Sequence, residues 1–188
     1  MQNHYYHYTV TMYETILLMK PLKNIAIVLG LALISLTSCA QGGAEDKPAM
    51  KNPYYSHTDT KPVKIGNDEW KKILPKGMYY IAREEGTERA YTGNLWDNHQ
   101  EGTYYCAACG NKLFTSNTKF ESGTGWPSFY QPAGRGSVVE KTDKDGSRTA
   151  VECKRCGAHL GHVFNDGPRP TGYRYCMNSA IMDFEAKK

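Results

Sequence analysis

Two stretches decide how this chain folds: "YCAACGNKLF", residues 105–114, and "VECKRCGAHLGH", residues 151–162. Each sets two thiols in a C-x-x-C spacing and follows them with a glycine, Gly110 or Gly157. Such a turn points both sulfurs to one side, and the glycine is expected to let backbone amides approach the charged sulfurs. Two such turns complete a tetrahedral tetrathiolate site. Cys106, Cys109, Cys153 and Cys156 are therefore the candidate ligands of one structural zinc ion per chain. The 43 residues between the pairs make that ion a clip between distant parts of the chain. A tetrathiolate site keeps no coordination position open, so its role is structural. Two other readings use the same cysteines. Disulfides are favoured in an oxidising compartment. A redox C-x-x-C pair ordinarily sits in a βαβ context, which is missing here.

Around these turns the chain reads as β structure. "GTYYC", "KLFTS", "SVVEKT", "RTAVEC", "GHVFN", "YRYCMNS" and "AIMDFE" are short runs rich in β-branched and aromatic residues. The turn signals "PAGRG", "DKDG" and "NDGP" separate several of them, and the pattern predicts a mainly β, mostly antiparallel domain. Ahead of it, "NDEWKKILP" (67–75) predicts a short helix capped by Asn67 or Asp68 and stopped by Pro75, with Trp70, Ile73 and Leu74 on one face. "MYYIAREEG" (78–86) predicts a second helix ending at Gly86. No βαβ alternation points to a nucleotide-binding parallel sheet.

The N-terminal segment has a different character. From Met19, "MKPLKNIAIVLGLALISLTSC" has a basic start, an apolar run of about a dozen residues and small residues before Cys39. That is the layout of a secretory signal, and the run is too short to span a bilayer comfortably. The reading places a signal segment over 1–38, with Met19 as the expected start of translation. "LTSC" resembles the bacterial lipobox, which makes Cys39 a lipidation site; an ordinary signal peptide with an incidental cysteine is the other reading. Residues 39–62, polar and rich in Gly and Pro, are expected to form a lipid-anchored flexible tether, and 63–188 a single domain. The expected location is the bacterial cell envelope, with the membrane-anchored chain facing the periplasm or the exterior. The net charge of +4 falls by one without 1–38 and is spread without blocks, so nothing argues for a nucleic-acid partner.

Of the six cysteines, Cys176 has no evident sequence partner. An unmatched thiol in an exported protein is either incidental or reactive. It lies in "RYCMNS" (174–179), where period two puts Arg174, Cys176 and Asn178 on one face of a strand. A cation beside a thiol favours the thiolate. In "SGTGWPSF" (122–129), two glycines and a proline define a rigid loop presenting Trp126. In "HLGHVFNDGP" (159–168), His159 and His162 could be zinc ligands, core histidines or acid–base groups.

Taken in order, C-x-x-C, "SGTGWPSF", C-x-x-C-x-x-"HLGHVFNDGP" and "RYCMNS" resemble the B-type peptide-methionine (R)-S-oxide reductases. The resemblance covers roughly Trp70 to Phe184 and extends to "ERAYTGNLWDNHQEGTYYC" and "KFESGTGWPSF". It implies two small antiparallel sheets of the β-tent type, clipped by zinc. It also implies that Cys176 attacks the sulfur of methionine sulfoxide in oxidised proteins, giving methionine and a sulfenic acid. His159 and His162 would supply or relay the proton to the sulfoxide oxygen. Asn178 would orient a histidine or water, and Arg174 would favour the thiolate. Trp126, with Phe164, would wall the S-methyl group. Where many relatives carry a second cysteine that resolves the sulfenic acid, this chain has Thr124. An external thiol, a thioredoxin-like protein or another reductant, is then expected to reduce Cys176 directly, with the enzyme working as a monomer. Two rivals remain at this stage. A zinc-dependent binding module explains the C-x-x-C pairs only, and a thiol–disulfide oxidoreductase would make one of those pairs its centre.

Overall fold

The computed structural model describes residues 52–188. The signal segment 1–38, Cys39 and residues 40–51 of the expected tether lie outside the described residues. Two helices, α1 (Asn67–Ile73) and α2 (Lys76–Glu84), precede nine strands. These are β1 (Gly102–Cys106), β2 (Lys112–Thr115), β3 (Lys119–Phe120), β4 (Ser128–Phe129), β5 (Val138–Thr142), β6 (Thr149–Cys153), β7 (His159–Phe164), β8 (Arg174–Met177) and β9 (Met182–Ala186). They form a three-stranded sheet, β2-β1-β9, and a six-stranded sheet, β3-β4-β8-β7-β6-β5. All pairings are antiparallel. The expected architecture of two antiparallel sheets with short leading helices is the one found.

The core follows from the aromatic alternation. Phe114 of β2 stacks on Phe129 of β4 at 4.3 Å, joining one sheet to the other, and Tyr104 of β1 meets Phe129 edge-on at 4.9 Å. Trp70 of α1 is 1% exposed, and Ile81 and Ala82 of α2 are buried with it. Pro75 ends α1 as expected and also opens α2. The expected cap of α1 is not formed. Gly66 occupies the cap position, and the Asn67 side chain accepts a hydrogen bond from Arg83 Nε at 3.0 Å instead. At the end of α2 the left-handed residue is Glu85, and Gly86 lies one position beyond it. A Cβ at Gly86 would meet the Tyr80 ring at 2.2 Å, so that glycine answers a steric demand.

Part of the segment expected to be a tether is docked on the domain. The backbone of Ser56 donates to the Cys109 carbonyl at 3.0 Å, and Asn52 Nδ2 donates to the Ala108 carbonyl at 2.8 Å. Buried Arg155 donates to the Tyr54 carbonyl at 3.0 Å, to the Lys61 carbonyl at 3.1 Å and to the Asp59 carboxylate at 3.0 Å. Residues 52–62 therefore belong to the folded body. Composition misled because the partners of this segment are backbone carbonyls and one arginine nearly a hundred residues away, and neither leaves a periodic signal. Among the described residues no helix is long and apolar enough to cross a membrane.

Candidate active site

The four C-x-x-C cysteines meet where the two sheets meet, since Cys106 ends β1 and Cys153 ends β6. All four are buried, and their sulfurs lie within 4.8 Å of one another. Cys106 and Cys156 are 3.8 Å apart, Cys109 and Cys153 3.6 Å. Disulfide sulfurs would stand at about 2.05 Å. A tetrahedron with metal–sulfur bonds of about 2.3 Å has edges of about 3.8 Å, which is the spacing found. Donor set and distances thus fit a metal ion. Apart from Asn111 Nδ2, which donates to Cys153 Sγ at 3.6 Å, the buried sulfurs mostly face one another. That drives the Cys153 thiol far down, through hydrogen bonds from Cys106 and its neighbours, and the Cys106 thiol far up, as Cys109 and the others face it. Four ionised thiols at such spacing need a positive centre. Gly110 (φ 77°) and Gly157 (φ 67°) take the left-handed backbone that closes each turn. Their own amides donate to the carbonyls of Cys106 and Cys153, at 2.7 and 2.8 Å, while the Cys156 amide reaches the Cys153 sulfur as expected.

The remaining thiol has other surroundings. Cys176 lies on β8 and is partly exposed, as is Arg174 two residues before it, while Tyr175 and Met177 point into the core. Across the ladder its register partners are His162 on β7 and Ser128 on β4. The six-stranded sheet therefore places thiol and imidazole side by side. His159 and His162 are three positions apart, a spacing that would turn them to opposite faces of a regular strand. A bulge prevents this: Val151 pairs with Gly161 and Glu152 with His159, so Leu160 is the extra residue. The two rings end 5.1 Å apart, edge to face. Gly161 is required here, because a Cβ would meet the Cys176 carbonyl oxygen at 2.1 Å.

A cavity of about 120 Å³ with a mostly apolar lining opens at Cys176. His162, Trp126, Phe164 and Asn178 line it together with the thiol. Larger space exists elsewhere: a groove of about 810 Å³ runs beside β1 and β9, but it holds no thiol. His162 Nε2 lies 3.2 Å from Asp143 Oδ2, the oxygen that also accepts from Arg148 Nε at 3.2 Å. A carboxylate only accepts, so Nε2 carries the proton. Burial, then the charge of Arg148, lowers the His162 pKa. His159 is 3% exposed, lies beside the His162 ring rather than on the cavity wall, and has no hydrogen-bond partner at either ring nitrogen. Burial, then the neighbouring His162, lowers its pKa to about 4. It is therefore neutral near pH 7. Among the described residues the only cluster of three or more candidate metal ligands is the four cysteines, which leaves both histidines off the metal.

Arg174 binds Asp166 with two hydrogen bonds of 2.8 Å and lies over the Phe164 ring at 4.3 Å. Its pKa is raised by the Asp166 hydrogen bonds first, and it lies two residues from Cys176 on the same strand. Asn178 lies just past the end of β8, lines the cavity with Cys176 and makes no hydrogen bond to either histidine. Its Nδ2 donates to the Leu160 carbonyl at 3.0 Å and its Oδ1 accepts from the Glu88 amide at 2.9 Å. It fastens the bulge that carries the histidines. Glu88 was not singled out from the sequence. Its carbonyl accepts from Trp126 Nε1 at 3.2 Å, and its carboxylate accepts from the Ser179 and Ala180 amides at 2.6 and 2.9 Å. Arg148, Asp143 and Thr87, also at the site, carried no motif signal. The Thr124 hydroxyl lies 3.8 Å from Cys176 Sγ, so the position that resolves the sulfenic acid in many relatives does face the thiol here.

Residues 74–186 match the SelR domain. The chain is 55% identical over 125 residues to a peptide methionine sulfoxide reductase MsrB of Leptospira interrogans, covering 65% of this chain and 95% of that protein. An MsrB of Methanosarcina barkeri is 52% identical over 130 residues, covering 68% and 92%. The chloroplastic peptide methionine sulfoxide reductase B1 of Arabidopsis thaliana is 46% identical over 156 residues, covering 81% and 76%.

Proposed function

We infer that this chain, which belongs to the SelR domain family, is an oxidoreductase that reduces methionine sulfoxide in peptides at Cys176. The observation that carries the assignment to Cys176 is its place opposite His162 in the ladder, in an apolar cavity walled by Trp126 and Phe164. The cavity suits a thioether side chain. Trp126, held by the Glu88 carbonyl, offers its face to the S-methyl group, a contact of roughly 0.3–1.5 kcal/mol. His162 takes the thiol proton at its unprotonated nitrogen and passes it to the sulfoxide oxygen, with Asp143 stabilising the imidazolium meanwhile. The Cys176 sulfur bonds the substrate sulfur, and the sulfur–oxygen bond breaks. The hydroxyl passes to the Cys176 sulfur as the new sulfur–sulfur bond breaks, so Cys176 is left as a sulfenic acid and methionine leaves. Two external thiols then return Cys176 to the thiol, giving their disulfide and water. His159 acts behind His162 as a neutral neighbour. A fixed methyl site and a fixed oxygen site read one sulfur epimer, and family membership supports R.

The four cysteines hold zinc in the same reading, a closed tetrathiolate that joins the two sheets and takes no part in the reaction. Their burial also disposes of the C-x-x-C oxidoreductase. With those thiols committed, Thr124 beside Cys176 leaves no resolving partner, so the reductant, a thioredoxin-like protein, meets the sulfenic acid directly. The "LTSC" pattern supports cleavage before Cys39, lipidation there, and an envelope protein anchored by residues 39–51. Labelled palmitate that fails to enter the wild-type chain rejects the anchor without touching the activity. The activity is tested by turnover of methionine-R-sulfoxide with dithiothreitol. Wild type turns over and Cys176→Ser does not; equal rates reject the assignment.

A further inference from the structure

We propose that Ser122, Thr124 and Ser128 form a hydroxyl chain whose proton order follows the charge on Cys176, with Thr124 as the group that answers the thiolate. Ser128 Oγ lies 3.2 Å from the Trp126 carbonyl and 2.7 Å from Ser122 Oγ. Ser122 Oγ lies 2.8 Å from Thr124 Oγ1, which lies 3.8 Å from Cys176 Sγ. Each hydroxyl has a single proton to give, and a carbonyl only accepts. Ser128 therefore donates to Trp126. Ser122 must then donate to Ser128, and Thr124 to Ser122. The Thr124 oxygen is left as an acceptor, and the Cys176 thiol donates to it. Every proton along the chain points away from the sulfur.

Ionisation of Cys176 reverses the last link. A thiolate only accepts, so the Thr124 proton swings from Ser122 to Sγ. Ser122 and the sulfur thus compete for one proton, and that competition sets how readily the thiol ionises. Ser128 is 1% exposed, so water has little access to the far end of the chain. The charged groups around the sulfur come from other directions: Arg174 on the same strand, His162 from β7 and Arg148 from the β5–β6 hairpin. Glu88 turns its carboxylate to the Ser179 and Ala180 amides, and the loop from Ser122 to Ser128 brings hydroxyls and no charge.

The proposal rests on Cys176 being the reacting thiol but not on sulfoxide turnover, so the test reads alkylation. Iodoacetamide labelling of Cys176 in the full metal-loaded chain is followed against pH by peptide-resolved mass spectrometry. Thr124→Val removes the donor, and the rate at neutral pH falls on the order of tenfold, with the midpoint of the profile moving up. Thr124→Ser keeps the hydroxyl and retains the wild-type profile. Ser122→Ala removes the competing acceptor and Ser128→Ala frees the Ser122 proton for Thr124; both raise the rate several-fold, on the same principle. Opposite signs from touching residues are not what loosened packing produces. An unchanged rate in Thr124→Val, or a fall in Ser122→Ala and Ser128→Ala, overturns the proposal. If Thr124→Val does not fold, the two serine variants decide it alone.

Discussion

The molecule holds two sulfur centres, and they are built in opposite ways. At the sheet junction four thiols are buried within 4.8 Å of one another. At the edge of a small cavity one thiol is partly exposed, with an imidazole beside it in the ladder and an arginine two residues away. The same element is structural in the first place and reactive in the second. Access and charge make the difference: the four buried thiols form a donor set that fits a cation, while Cys176 faces neutral and charged groups that can move a proton.

Exchanging one sulfur in each centre should separate the two roles most sharply. Cys153→Ser leaves three thiolates around the metal position, and the loss of a coupled metal site costs several kcal/mol or more. The thermal midpoint is expected to drop by roughly 10 °C or more, with metal content falling, both read by calorimetry and elemental analysis. Cys176→Ser should leave the midpoint within about 2 °C and full metal, yet show no turnover. A Cys153→Ser protein that keeps wild-type stability would dissolve the contrast.

A smaller effect comes from the histidines. His159 takes its proton near pH 4 when folded and near 6.5 when unfolded. Between those values the unfolded chain binds more protons, so stability falls as pH drops; above about 6.5 the group is neutral in both states and adds no pH dependence. The loss by pH 4 is at most about 3 kcal/mol from this residue. Urea unfolding against pH should show the decline in wild type and a flatter curve in His159→Gln. An identical slope in both would remove His159 as its source.

The smallest expected effect sharpens the role of Glu88. Glu88→Ala leaves the Ser179 and Ala180 amides without their acceptor, at roughly 1–3 kcal/mol. Because those contacts also fix the segment holding Trp126, KM should rise more than kcat falls. A fall in kcat alone would place Glu88 in the chemistry itself.

How much of this was legible in the sequence differs between the same two centres. The convergence of the four cysteines was legible, because each C-x-x-C turn is a local pattern that points its two sulfurs one way. Cys176, His162, Trp126 and Phe164 also converge as the motifs suggested. Asn178 shares the cavity with Cys176 as the alternation implied, but its hydrogen bonds to Leu160 and Glu88 are long-range and leave no local pattern. The pairing of His159 with His162 on one side depends on a bulge at Leu160, which no period reveals. The docking of residues 52–62 escaped notice for a related reason. It depends on Arg155, a lone basic residue inside a C-x-x-C turn whose partners are carbonyls in an unpatterned segment.

The central claim is that oxygen passes from substrate to Cys176. One turnover of the full chain with methionine-R-sulfoxide, without reductant and with a sulfenic-acid trap present, tests it by peptide mass spectrometry. One trapped oxygenated sulfur at Cys176 per methionine formed, with no disulfide to any other cysteine of the chain, is the predicted result. Methionine formed while Cys176 remains an unmodified thiol would contradict it.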